Sequence, residues 1–275
     1  MDDKYDGCPR GLTSNEADGF RLGLKHPPGS PETGSMPASH FILLIDSDPN
    51  RSDAIATQLV RLGVEPIRVD DLADAVGLVK AWEYAIEAII LPSDLPSGPV
   101  HKALKSMRRR QPVLPAMAYG KAPEGKQAKA LRDAGVLLAL WDGYDEAMLR
   151  FQLNRLIAGE TPSVVRGSRR APTHLPVRVS VGGREKEGTL DSLAEGGCFI
   201  ASPRASMDGA RLTISFELED WRFELPGVVV FANVPGNLQR PNLPLGMGVR
   251  FGEMPAASRD RLKRFIQKRM ETLEI

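Results

Sequence analysis

Two cysteines in 275 residues leave no disulfide framework to read. Cys8 and Cys198 lie in unlike surroundings, as in a reducing compartment, with Cys198 a small buried hydrophobe. Long apolar runs are also missing. None approaches the roughly 18 residues that would span a bilayer, and MDDKYDGCPRG lacks the apolar centre of a secretory signal. Charge of one sign is absent as well, with 36 Lys and Arg against 35 Asp and Glu and a net charge of +1. Such a chain has no global field that favours nucleic acid. Aromatics at 6% are too few for a base-stacking platform. His101 has no Cys or His at ligand spacing, so no metal site is expected. These absences predict a cytoplasmic chain with no DNA partner and no membrane insertion.

What the chain does have is length for two domains. Residues 1–38, with KHPPGSPETGSMPASH, are rich in Pro, Gly and Ser and poor in large apolar groups, so a disordered N-terminal tail is expected. Met36 stands just before the first strand, and both Met1 and Met36 stand as starts.

Residues 39–158 then alternate strand and helix. Phe41–Ile45 reads as a strand buried on both faces, followed by a helix marked by Ile55, Leu59 and Leu62. Gly63 stops that helix ahead of a strand at Pro66–Val69. Val76 and Val79 mark a second helix. Strands follow at Ala88–Leu91, Val113–Ala118 and Val136–Leu140, with helices near Val100–Arg109, Lys126–Ala134 and Asp145–Ile157. This order predicts an α/β doubly wound parallel five-stranded sheet. Arg108-Arg109-Arg110 reads as a solvated helix end, where cations complement the dipole. Trp82 and Tyr84 read as caps of the sheet edge.

Residues 159–275 change rhythm. Gly159–Ser168 reads as a linker. Val177, Val179 and Val181 alternate with Arg178 and Ser180, and Gly182-Gly183 signals a hairpin turn. Strands at Cys198–Ala201, Arg211–Leu218, Arg222–Ala232 and Gly246–Phe251 predict a small antiparallel β-barrel. A C-terminal helix from about Ala257 presents Leu262, Phe265, Ile266, Met270 and Leu273 as one stripe, with Lys263, Arg264, Lys268 and Arg269 opposite.

The first unit resembles a response-regulator receiver domain, through Leu44-Ile45-Asp46-Ser47-Asp48-Pro49 and Leu95-Pro96-Ser97-Gly98. That resemblance implies an acceptor aspartate four residues before Pro96, where this chain has Pro92, which carries no nucleophile. Ser47 replaces one member of the acidic pair, leaving Asp46 with Asp48. Ala118 stands near the position of the phosphate-reading hydroxyl, and Asp142 stands where the family has Lys-Pro. Asp94 is two residues beyond the acceptor position. A degenerate receiver without phosphorylation, metal or catalytic activity is therefore expected.

The second unit resembles a PilZ domain, through Arg166-Gly167-Ser168-Arg169-Arg170, Leu193–Ile200 and Leu245–Phe251. PilZ domains commonly bind cyclic di-GMP, with paired arginines on phosphates and guanine faces. The resemblance implies Arg166 and Arg170 in those roles, with Arg169 as a further cation. Aligning Gly197 with the motif glycine puts Ser192 at the Asp/Asn position and Ala194 at the Ser position. Moving the frame by one brings Asp191 into place but costs the strand its register. Losing a bidentate base contact costs about 1–3 kcal/mol, and a hydroxyl bond about 1 kcal/mol more. Affinity then falls roughly thirty- to a thousand-fold. No cofactor is required. The expectation is a non-catalytic bacterial regulatory protein, linked by resemblance to motility, polarity or surface behaviour. It acts through other signalling or motility proteins, with recruitment to a cell pole or membrane complex as one mode. The alternative is a cyclic di-GMP effector using Arg166 and Arg170.

Overall fold

The computed structural model describes residues 40–81, 85–159, 169–240 and 242–275. Arg166, Trp82 and Tyr84, and nearly all of the expected linker, lie outside the described residues.

The first half alternates β1 (His40–Ile45), α1 (Pro49–Arg61), β2 (Val64–Val69), α2 (Leu72–Ala81), β3 (Ala88–Pro92), α3 (Ser97–Arg108), β4 (Ala116–Gly120), α4 (Gly125–Asp133), β5 (Leu138–Trp141) and α5 (Glu146–Ile157). The strands form one parallel sheet in the order β2-β1-β3-β4-β5, the doubly wound order shared by flavodoxin-like folds. One face buries Leu43, Ile89, Leu91 and Ala118 under α2, α3 and α4. The other buries Ile42, Leu44, Ile90 and Tyr119 under α1 and α5. The apolar run in β1 is thus explained by burial on both faces. Pro66 fits β2 because this is the edge strand.

β4 begins three residues later than the sequence suggests, and Val113 is 80% exposed. Pro112 and Pro115 flank it and cannot donate to a ladder, so the loop persists to Ala116. Arg108 corrects the reading of a solvated cluster. Its Nε donates to the Leu114 carbonyl at 3.1 Å and its Nη2 to the Gly135 carbonyl at 3.0 Å. It therefore fastens the end of α3 to the loops before β4 and β5, and burial lowers its pKa. Arg109 and Arg110 remain exposed, as expected.

The second half contains β6 (Arg170–Val181), β7 (Arg184–Ala194), β8 (Gly197–Ala201), β9 (Arg211–Leu218), β10 (Trp221–Val234), β11 (Asn237–Leu238), β12 (Gly246–Phe251) and α6 (Ala256–Glu271). Six of these strands close on themselves in the order β10-β12-β8-β7-β6-β9, with β9 returning to β10. The barrel interior holds Val177, Val179, Leu190, Ile214, Phe216 and Phe223. Gly182 and Gly183, at φ +57° and +78°, make the two-residue turn between β6 and β7, a type I′ geometry that side chains with Cβ resist. The short hairpin strand β11 is not visible in the sequence pattern.

α6 closes the barrel with Leu262, Ile266 and Met270 buried. Leu273 lies beyond the helix, whose C-cap is Thr272, although it is buried in the same core. The chain then runs antiparallel to β5. The Ala139 amide donates to the Leu273 carbonyl at 3.0 Å, and the Ile275 amide to the Leu137 carbonyl at 3.2 Å. Ile275 is buried in the core of the parallel sheet.

Gln152 of α5, fully buried, donates through Nε2 to the carbonyls of Ala139 (2.6 Å) and Leu273 (2.7 Å). Arg155 donates to the Gln152 oxygen at 2.9 Å and pairs with Glu274 at 2.8 Å. The segment after the barrel helix thus meets β5 through an isolated antiparallel bridge between Leu138 and Glu274.

Candidate functional site

The sequence singles out two places, the carboxyl ends of the parallel strands, where no phosphorylation or metal is expected, and the start of the barrel, where a ligand site is the alternative. At the first, Asp46 is buried just after β1. Four donors converge on its carboxylate. The Asp48 amide (2.9 Å) and Arg51 Nη2 (2.9 Å) reach Oδ1, while Arg51 Nε (2.6 Å) and the Tyr119 hydroxyl reach Oδ2. Burial alone would raise this carboxyl, but the bonds from Arg51 and Tyr119 hold it below the usual carboxylate range. The same contact raises Arg51, and burial together with Asp46 raises the Tyr119 phenol. Tyr119 is therefore a neutral donor and Arg51 the counter-charge, its guanidinium also 5.8 Å from the Tyr119 ring.

Arg51 is positioned by α1. Asp48 caps that helix, accepting from the amides of Asn50 (3.0 Å) and Arg51 (3.3 Å). Asp48 is thereby engaged as a cap. Asp94 is exposed and accepts from Arg51 Nη1 at 3.2 Å. Pro92 ends β3 directly opposite Tyr119 on β4. The neighbour of Asp46 on β4 is therefore Tyr119, and Ala118 faces the opposite core. Asp142 is exposed, its amide bonded to the Gly120 carbonyl at 2.9 Å.

Magnesium needs several free hard oxygens at fixed distances, and here both oxygens of Asp46 are already engaged. Among the described residues no group of three or more His, Cys, Asp or Glu is placed to hold a metal ion. The residues present do not fit the phosphoryl-transfer metal that this fold implies.

At the second site, Arg170 is the exposed first residue of β6 and pairs with Ala194 of β7, which in turn pairs with Gly197 of β8. Arg169 immediately precedes it and is also exposed. Ser192 pairs with Pro172 on one side and Phe199 on the other, and is buried. The structure thus brings Arg170, Ala194 and Gly197 to one end of the barrel and sets Ser192 two positions further along β7. Gly197 has a packing reason to be glycine, since an added Cβ would lie 2.4 Å from the Val249 carbonyl oxygen. Cys198 is buried, and burial pushes its thiol well up, leaving a hydrophobe without thiolate character.

Asp191 is the residue that sequence reasoning set aside. The register of β7 against β8 shifts between Leu190 and Ser192, and that of β6 against β7 between Pro172 and Leu175. Such bulges re-aim side chains. Asp191 turns to α5 and meets Arg150 Nη2 at 2.5 Å, both side chains mostly buried. Burial raises its carboxyl, opposed by Arg150. A second tie lies nearby, where Asn154 of α5 donates to the Asn242 carbonyl at 3.2 Å. The loop carrying Asn242 is ordered by buried Asn233, which donates to the carbonyls of Arg240, Leu243 and Pro244 and accepts from the Arg240 amide. On the same strand Phe231 stacks on Phe199, with centroids 5.9 Å apart.

Residues 165–268 match the family described as PilZ domain. No curated protein matches the chain. Solved structures resemble its parts. The Bacillus subtilis inhibitor of motility MotI/DgrA aligns at 17% identity and TM-score 0.34 over 39% of this chain; the chain spans about half, 52%, of that structure's length. A signal receiver domain of an HD domain-containing protein from Pseudomonas fluorescens aligns at 16% identity and TM-score 0.39, over 46% of this chain and 91% of that one. The receiver domain of a sensor histidine kinase from Pseudomonas aeruginosa aligns at 24% identity and TM-score 0.39, over 44% and 99%. The protein joins a doubly wound α/β unit, with a five-stranded parallel sheet, to a β-barrel. The barrel stretch is a PilZ domain.

Proposed function

We propose that this is a non-catalytic regulatory protein that works by binding other signalling proteins. In this reading the receiver-type unit is a docking body without phosphoryl transfer, and the PilZ domain is an interaction module. The observation that carries it is the carboxylate of Asp46, saturated by Arg51, Tyr119 and the Asp48 amide beside a proline at the acceptor position. A group held this way offers neither a metal ligand nor a nucleophile. Incubation with acetyl phosphate and Mg²⁺, followed by intact mass, is expected to give no added phosphate. An addition mapped to Asp94 or Asp46 overturns the reading. In this reading the protein is a regulator of motility, polarity or surface behaviour, recruited to a cell pole or membrane complex, and the match of residues 165–268 to the PilZ domain family supports it.

A second reading, a cyclic di-GMP effector, is favoured by Arg170. It stays exposed at the head of β6 with Arg169 beside it, where a phosphate can reach it. Against it stand Ser192, buried between neighbouring strands, and Asp191, taken by Arg150. In that reading Arg166 and Arg170 hold the phosphates, and guanine is read by fewer groups than the family's motif supplies.

A further inference from the structure

The charges of the receiver-type unit are segregated although the chain as a whole is nearly neutral. Residues 40–96 carry ten Asp or Glu against four Lys or Arg, and residues 97–133 carry nine Lys or Arg against two Asp or Glu. The basic stretch covers α3 and α4, which pack side by side on one face of the sheet. Lys102, Lys105, Arg109, Lys126 and Lys129 are all exposed. Arg108 is the exception, tucked onto the Leu114 and Gly135 carbonyls.

None of those five exposed cations takes part in an ion pair among the described residues, whereas Arg51, Arg68, Arg150 and Arg155 are each matched to a carboxylate. The spacing makes the arrangement costly to the isolated fold. Lys102 and Lys105, Lys105 and Arg109, and Lys126 and Lys129 are three or four residues apart, where like charges repel on a helix. Stability alone would interleave acids there, as it does at Arg150 and Glu146. The α5 side of the unit is already engaged by the barrel, through Asp191, Glu274 and the segment after α6. On the α3–α4 side that segment reaches only the end of α4, where Arg132 donates to the Ile275 carbonyl, and among the described residues Lys102, Lys105, Arg109, Lys126 and Lys129 have no such cover.

We propose that the α3–α4 face is a docking surface for an acidic protein segment, an inference that rests on the interaction role proposed above and names its partner's chemistry. Two other polyanions fit less well. α3 and α4 carry no Phe, Tyr or Trp among these cations, and the one imidazole, His101, is too little for a base-stacking platform. No exposed large apolar residue lies on either helix to enter a bilayer. Carboxylates carried on a protein surface match spaced lysines without needing either.

The test uses the full chain and three probes: a fluorescein-labelled Glu-rich peptide, single-stranded DNA of mixed sequence, and vesicles of equal parts phosphatidylserine and phosphatidylcholine. The peptide is expected to bind most tightly and to weaken with salt. The quadruple variant K102E/K105E/K126E/K129E is expected to lose about tenfold or more in affinity, a loss of about 1.4 kcal/mol. K263E/K268E on α6, and the milder set with Gln at the same four α3–α4 positions, separate the patch from general charge and from misfolding. The α6 variant is expected to bind like the parent, and the Gln set to fall between. Absence of peptide binding, equal loss in the α6 variant, or tighter binding to DNA or vesicles overturns the proposal. So does salt-sensitive self-association in sedimentation that the quadruple variant abolishes, because the occupant is then a second copy. Failure of the interaction role itself reads out separately, as saturable cyclic di-GMP binding that the α3–α4 variants leave unchanged.

Discussion

At the scale of single residues, the behaviour of the first site turns on Tyr119 and Arg51. Replacing Tyr119 with Phe removes one of four donors from a buried carboxylate. A hydrogen bond to a charged group contributes about 1.5–3 kcal/mol, and denaturant unfolding of Tyr119→Phe is expected to show a loss of that order. The pH dependence has a definite sign. Asp46 is held below the ordinary carboxylate value, so its contribution is complete above the unfolded-state pKa of about 3.9 and is lost as pH falls through the folded value. In Tyr119→Phe the folded value rises, so the acid-unfolding midpoint followed by circular dichroism moves to higher pH. A midpoint that stays put contradicts the assignment. Asp191 runs the other way. Its carboxyl is raised by burial, so its effect on stability is most favourable below the unfolded-state value and weakens as pH rises through the folded one.

The sequence reached only part of this. Pro92 at the acceptor position and Asp46 after β1 are local features, readable from spacing along one strand. Tyr119 meets Asp46 across 73 positions of chain, and nothing in its own neighbourhood, Ala-Met-Ala-Tyr-Gly, marks it as a partner. Arg51 sits in the first turns of α1, where a cation ordinarily faces solvent. Asp191 was legible as a candidate, yet its re-aiming depends on bulges in two strands, which the alternation of apolar and polar residues does not encode.

At the scale of elements, the five parallel strands and the barrel were legible because burial on two faces and on one face write different patterns. The segment after α6 was not. Leu273 continues the apolar stripe of the helix, so its departure toward a bridge beside β5 is invisible to periodicity. Gln152 and Arg155 lie in α5 as ordinary polar residues, although both are buried and hold that segment. Gln152→Leu keeps the volume and strips donors from two buried carbonyls, at about 1–3 kcal/mol for each group left unpaired. Urea unfolding is expected to show a loss of several kcal/mol, and a loss below about 1 kcal/mol contradicts this role. Between α5 and β7, a double-mutant cycle on Arg150 and Asp191 is expected to give a coupling of about 0.5–3 kcal/mol. Zero coupling places the two charges apart in solution.

At the scale of the whole molecule, two buried carboxylates, one in each half, are matched from within, Asp46 by Arg51 and Tyr119, and Asp191 by Arg150. The barrel's last segment is also bridged to β5 of the parallel sheet. One consequence is cooperative melting: calorimetry is expected to show a single transition with equal calorimetric and van't Hoff enthalpies, whereas two resolved transitions mean that the halves are independent. The most direct test is isothermal titration of the full chain with cyclic di-GMP. No saturable heat is the predicted result, with Arg170→Ala indistinguishable from the parent. Saturable binding at micromolar or lower concentration that disappears in Arg170→Ala contradicts the account and makes the PilZ domain a nucleotide receptor.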